Sequence, residues 1–374
     1  MYSQQELDDA VASGAITAEA ANALRAYVEN QRSDVIPDEE QFRLITGFND
    51  IFVSIAAAIL LFAVGWIGQS VGDAVGLTIR EHAYDLHGPS PLAPLFVAAT
   101  SWGLAMFFTA KRRMALPSIL LLLTFVGGVL VTAGFLLVQG IGPNAFDNNP
   151  QLGGVVGALA AAIAAGAAWL HWRSFRVPIT IAAGAASVAG LAVGLLIAAL
   201  GPNAENAKDI ILGFVLLLGI GTFLFAMWWD GSDRARITRR ADVAFWLHLL
   251  AAPMIVHPVF SLLGLNDGNA TIAEGLVVIL LYVAIGITAL AIDRRALLVS
   301  ALAYVLFALQ QLFREFGAVE LNVALTALVI GSALLLLSAF WHQARRTIVR
   351  PLPESLRERL PILDRAAPVS QPAA

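Results

Sequence analysis

The sequence predicts an all-α, polytopic transmembrane bundle of about ten spans, with a short cytoplasmic helical hairpin at its N-terminus. Three observations predict it. Of 374 residues, 58% are hydrophobic and 13% charged, whereas soluble domains carry about 25% charged residues. Apolar runs of roughly 18 residues or more recur along the chain, each long enough to cross a hydrocarbon core of about 30 Å. The runs are continuous rather than alternating, which is the pattern of helices and not of barrel strands.

Residues 1–48 read as a cytoplasmic hairpin and acidic linker. Ser3-Gln-Gln-Glu6 has capping-box spacing, and Leu7, Ala10 and Val11 then share a face. Gly14 can close that helix in the left-handed region, and Thr17 can cap a second one carrying Ala20, Leu24, Tyr27 and Val28 on one stripe. Such a hairpin is too small to bury a core alone. Its apolar residues Leu7, Val11, Leu24 and Val28 are therefore candidates for contact with a cytoplasmic protein partner or with a second copy. Ser33–Glu40, with Pro37, forms the linker. The first apolar run begins only near Asn49–Ile51, behind polar and acidic residues, so no cleavable signal is expected.

The transmembrane domain is expected over 49–343, with spans near 50–69, 92–110, 117–140, 151–171, 178–200, 209–229, 243–263, 271–292, 296–313 and 320–342. A basic, Pro-containing cytoplasmic tail follows at 344–374. Lys and Arg fix the expected orientation. The loops after the second, fourth, sixth and eighth spans hold Lys111, Arg112, Arg113, Arg173, Arg176, Arg234, Arg236, Arg239, Arg240, Arg294 and Arg295. The opposite loops hold Arg80, Lys208 and Arg314. Both termini are thus predicted to be cytoplasmic. Trp169, Trp172, Trp228, Trp229, Trp246 and Trp341 fall at the same ends, as interfacial anchors do.

The motif GPNA occurs at Gly142–Ala145 and Gly201–Ala204, and a related turn at Gly264–Ala270. All lie on the predicted outer side, one two-helix hairpin apart. This spacing fits a repeat of paired helices. It equally fits ordinary turns, because Gly, Pro, Asn and Asp populate any short connection. The Ala/Gly-rich fourth span and the Gly190-x-x-x-Gly194 motif of the fifth predict close helix packing at the bundle centre, or else a seam between two copies.

Chemistry is sparse. Cysteine is absent, which excludes disulfides and thiolate ligands. There is no P-loop, dinucleotide fingerprint or GxSxG elbow. No cofactor and no nucleic acid are expected, and the basic loops are accounted for by topology and anionic lipid. An ionisable group inside a span is a functional candidate by default. His248 and His257 sit in the seventh span with Pro253 and Pro258, and nine residues at 100° each place the two histidines on opposite faces. Glu274 opens the eighth span, Gln310, Gln311, Arg314 and Glu315 end the ninth, and Asn322 lies in the tenth. These polar groups could line an outer vestibule or be solvated helix ends. In the first outer loop, Glu81, His82, Asp85 and His87 could each ligate a metal, but their spacing matches no zinc signature.

The hairpin "LDDAVASGAITAEAANALRAYV" and the junction "EEQFRLITGFNDIF" resemble an uncharacterised family of bacterial polytopic membrane proteins that carry an N-terminal helical-hairpin domain of unknown function. The resemblance implies a bacterial inner membrane and supplies no catalytic residues. Three functions stay open: a non-enzymatic membrane protein that recruits a partner or self-associates through the hairpin, a permease for a neutral or lipid-like solute, and an intramembrane or outer-face enzyme.

Overall fold

The computed structural model describes residues 10–24, 48–79, 88–147, 149–200, 206–234, 236, 238–263, 272–295, 297–298, 302, 322–358 and 360–363. The chain divides into two units, Leu44–Leu363 and one holding Met1–Arg43 with Asp364–Ala374. In the smaller unit, residues 10–24 form a helical turn, a reversal at Gly14 with φ of +75°, and a second helical stretch. Ala15 N donates to Ala10 O, and Ala20 N donates to Thr17 Oγ1 at 3.1 Å, so glycine closes one helix and threonine caps the next. Leu24 is exposed and Val11 half-buried. Leu7 and Val28 lie outside the described residues.

The larger unit is all helical: α1 (Phe48–Ala74), α2 (Leu92–Phe108), α3 (Ala115–Ile141), α4 (Pro150–Phe175), α5 (Ile179–Ala199), α6 (Ala207–Gly231), α7 (Arg239–Leu262), α8 (Ile272–Ile292), α9 (Asn322–Ala339), α10 (Trp341–Val349) and α11 (Glu354–Arg357). Six of these, α1 and α3 to α7, are long and apolar enough to cross a membrane. α2, at 17 residues, is shorter. The protein is therefore a multi-pass membrane-spanning helical bundle. The ninth predicted span lies outside the described residues, save for three positions.

Consecutive helices pack as hairpins, with α4 on α5 and α6 on α7 the most extensive. Glycine sets how close they come. A β-carbon on Gly154 of α4 would lie 2.5 Å from Ala198 N, and one on Gly194 of α5 would lie 2.7 Å from Ala158 N. The two backbones touch there, and Ala158, Ala161, Ala164 and Ala168 of α4 are buried. Gly194 thus packs within the chain against α4, and a β-carbon on Gly190 would lie 3.6 Å from Ala161 Cβ of the same helix. Gly128 makes a similar approach to Pro94 O of α2, and Gly219 to Met254 of α7.

A regularity appears at the basic end. Arg113, Arg176, Arg236 and Asp293 are the residues with φ of 53°, 53°, 54° and 56° that follow α2, α4, α6 and α8. Non-glycine residues rarely adopt this left-handed region. Its recurrence at intervals of 63, 60 and 57 residues marks one hairpin unit after another. At the other end, the first GPNA turn has Gly142 at φ of +96° followed by a 3₁₀ turn over Pro143–Phe146. Residues 201–205 and 264–270, which hold the second copy and the related turn, lie outside the described residues.

Candidate functional site

The polar groups that converge do so where α6, α7 and α8 meet. Asp230, in the last turn of α6, is 2% exposed. His248, in the third turn of α7, is fully buried, and its Nε2 lies 3.0 Å from Asp230 Oδ2. A carboxylate only accepts, so Nε2 carries the proton. Arg294, two residues past α8 and 3% exposed, donates through Nε to Oδ2 at 3.2 Å and through Nη2 to Oδ1. Its Nη2 also reaches Ala241 O at 3.1 Å. One carboxylate is thereby held by two elements besides its own, in the two-pronged arginine geometry that binds carboxylates best.

The backbone explains how Arg294 gets there. The chain leaves α8 through the left-handed turn at Asp293, and Arg294 N closes back on Ala289 O at 2.8 Å. Asp293 and Arg294 then serve different partners. Asp293 Oδ2 accepts from Arg236 Nη1 at 3.0 Å, and Oδ1 accepts from Trp341 Nε1 at 2.7 Å. Arg345 Nε lies 3.8 Å from Oδ1. Arg236 Nη2 also donates to Ile292 O and Asp293 O, capping the end of α8. The turn between α6 and α7 is closed separately by Asp233, whose Oδ2 accepts from Thr238 N and Oγ1.

Burial alone would raise the Asp293 carboxyl, but the Arg236 and Arg345 guanidiniums, the Trp341 indole N–H and Arg294 outweigh it and hold it below the usual carboxylate range. A carboxylate with a depressed folded-state pKa contributes stability that is complete above its unfolded value of about 4, and that is lost as pH falls through the lower folded value. Asp293→Asn is therefore expected to lower the thermal midpoint at pH 7. The gap to wild type should begin to narrow as pH falls below about 4. Unfolding followed by tryptophan fluorescence across pH 3–8 checks this, and a gap independent of pH would contradict it.

A second buried histidine lies in α4. His171 Nδ1 is 3.2 Å from Thr180 Oγ1 across the α4–α5 turn. Its ring packs against Phe175, Phe125 and Trp102, with centroids 4.7, 5.9 and 6.2 Å away. His171 Nε2 has no hydrogen-bond partner among the described residues, and aromatic faces surround it.

The structure separates the other sequence candidates. His257 is exposed on the face of α7 opposite buried His248, as the helical geometry requires. Glu274 and Asn322 fall at the starts of α8 and α9, and their side chains are outside the described part. Gln310, Gln311, Arg314 and Glu315 lie outside the described residues, as do Glu81, His82, Asp85 and His87. Among the described residues, no group of three or more His, Cys, Asp or Glu could hold a metal ion.

Arg236 and Arg294, which lie in the loops counted for orientation, are also ion-pair partners. One expectation needs correction. Trp341, expected as an interfacial anchor, is 2% exposed and bonds Asp293, while Trp169 and Trp228 remain exposed at their helix ends. Asp230, Asp293, Arg236, Arg294 and Arg345 were missed as a site. The available signal was Asp230 itself, an acid ending an apolar run in "MWWDGSD", with "IDRR" ending a later one. No protein-family model, curated protein or solved structure matches the chain.

Proposed function

We propose that this is a non-enzymatic, ten-span protein of the bacterial inner membrane, with both termini in the cytoplasm, that recruits a cytoplasmic partner or a second copy through its N-terminal hairpin. The family resemblance of that hairpin is part of the same reading. Its three regions would be the hairpin and linker to residue 48, the membrane domain to 343, and the tail. What supports it is the closed interior. α4 and α5 meet at backbone contact through Gly154 and Gly194, over a wall of alanines. A bundle packed this way serves as an anchor, and leaves no path between these helices.

The test is cross-linking and capture from native membranes, comparing the full chain with one lacking residues 1–36. The expected outcome is a partner or second copy captured with the full chain alone. Equal capture by both, or by neither, removes the hairpin from the function.

One observation favours a second reading, a permease for a neutral or lipid-like solute. Asp230 and His248 lie inside apolar helices, where polar residues commonly mark a solute path. In that reading Glu274, Gln310, Gln311, Arg314, Glu315 and Asn322 line the outer vestibule. Uptake into vesicles that depends on His248 would distinguish it.

A further inference from the structure

The segment after α10 is held by its main chain. Arg234, from the α6–α7 turn, donates through Nε to Leu360 O at 3.0 Å and through Nη2 to Arg357 O at 3.1 Å. Arg345, from α10, donates through Nη2 to Pro361 O at 2.8 Å and through Nη1 to Ile362 O at 3.3 Å. Two side chains from separate elements thus grip four backbone carbonyls. Leu360 is the apolar anchor. It is 8% exposed, in a cluster with Leu290, Ile292, Trp341 and Val349. Arginine offers donors only, and Pro361 offers a carbonyl and no N–H. The clamp therefore matches a carbonyl-presenting stretch interrupted by proline, and it reads side-chain identity chiefly at the leucine. It stands directly on the Asp293 network, because Arg345 also faces Asp293.

The segment turns at this point, with Leu360 N donating to Arg357 O at 3.2 Å. We propose that Arg234, Arg345 and the Leu360 pocket form a peptide-docking site for Leu-Pro segments that leave a helical turn in this way, kept shut by the chain's own C-terminal segment. The partner class is a peptide with a helical turn followed by Leu-Pro, and it gains access when the intrinsic segment is displaced. An occupant in cis is favoured by its high local concentration, which a covalent link to α10 guarantees. The proposal is independent of the N-terminal hairpin.

The experiment uses the full chain in zwitterionic nanodiscs and a fluorescein-labelled peptide of residues 354–363. Leu360→Ala loosens the intrinsic segment and leaves both arginines in place. It is expected to bind the peptide at least about tenfold more tightly than wild type, read by anisotropy. Adding Arg234→Gln removes two of the four main-chain contacts, and should weaken that binding about tenfold or more. Among the described residues, both Arg234 hydrogen bonds go to the segment, so this change spares the interior. A peptide carrying the same Leu→Ala change should not bind. Should Leu360→Ala lose the folded bundle, Leu363→Ala, at the edge of the same cluster, replaces it. Equal binding by wild type and the loosened chain, or binding that ignores Arg234, overturns the proposal.

Discussion

Asp230→Ala is expected to destabilise the bundle by about 3–5 kcal/mol, the largest effect of any single polar substitution here. The reason is what remains rather than what is removed. Arg294 is 3% exposed and makes both its carboxylate hydrogen bonds to Asp230. Without the acid, a guanidinium sits in an apolar interior beside His248, whose Nε–H loses its acceptor as well. Water cannot replace the carboxylate there without opening the junction of α6, α7 and α8. The companion experiment separates charge from packing. The double variant Asp230→Leu with Arg294→Met removes both charges at similar volume, and should recover most of the loss, because a well-packed apolar pair often equals a buried ion pair. Denaturant-induced unfolding in mixed micelles measures both. A double variant as unstable as the single one would mean that the pair positions the turn at Asp293 in a way that neutral side chains cannot.

Gly154→Val is expected to cost about 3 kcal/mol or more, at the upper end for overpacking. The first added carbon already falls 2.5 Å from Ala198 N and 2.7 Å from Gly194 O. These are backbone atoms, near the start of α4 and the end of α5, so no rotamer change relieves the contact, and the two helices must separate there. Separation removes dispersion contacts along the whole alanine face, since interiors are packed to crystal density. Gly157→Val is the control on the same helix, because a β-carbon there meets nothing within 4 Å. It should leave the unfolding midpoint near wild type. Similar losses at both positions would show that β-branching in the helix, not the crossing, sets the effect.

The difference between these two sites measures how far the sequence could be read. The glycine crossing was legible in kind: small residues spaced along "GGVVGALAAAIAAGAAW" and Gly190-x-x-x-Gly194 call for close approach. Which glycine of α4 meets which of α5 was not legible, because several share a stripe and only the crossing angle and register choose Gly154 and Gly194. His248 was legible as an ionisable residue inside a span, and its opposition to His257 follows from 100° per residue. Its partners were not. Asp230 is 18 positions upstream and Arg294 a further 46 downstream, and each had a sufficient local explanation as a helix-end charge.

The sequence by itself determined that this protein is a multi-pass helical membrane protein, where its apolar helices run, and which of their ends are basic. Those are one-dimensional properties: hydrophobic length and local charge are set by neighbours in the chain, and the bilayer reads them span by span. Only the tertiary structure decided which charges face solvent and which are buried against each other. The same arginines that satisfy a topological count can turn inward when a carboxylate from another helix waits there. That choice depends on desolvation and pairing between elements distant in sequence, as in Arg294 on Asp230 and Arg234 on the carbonyl of Leu360. No local pattern records it.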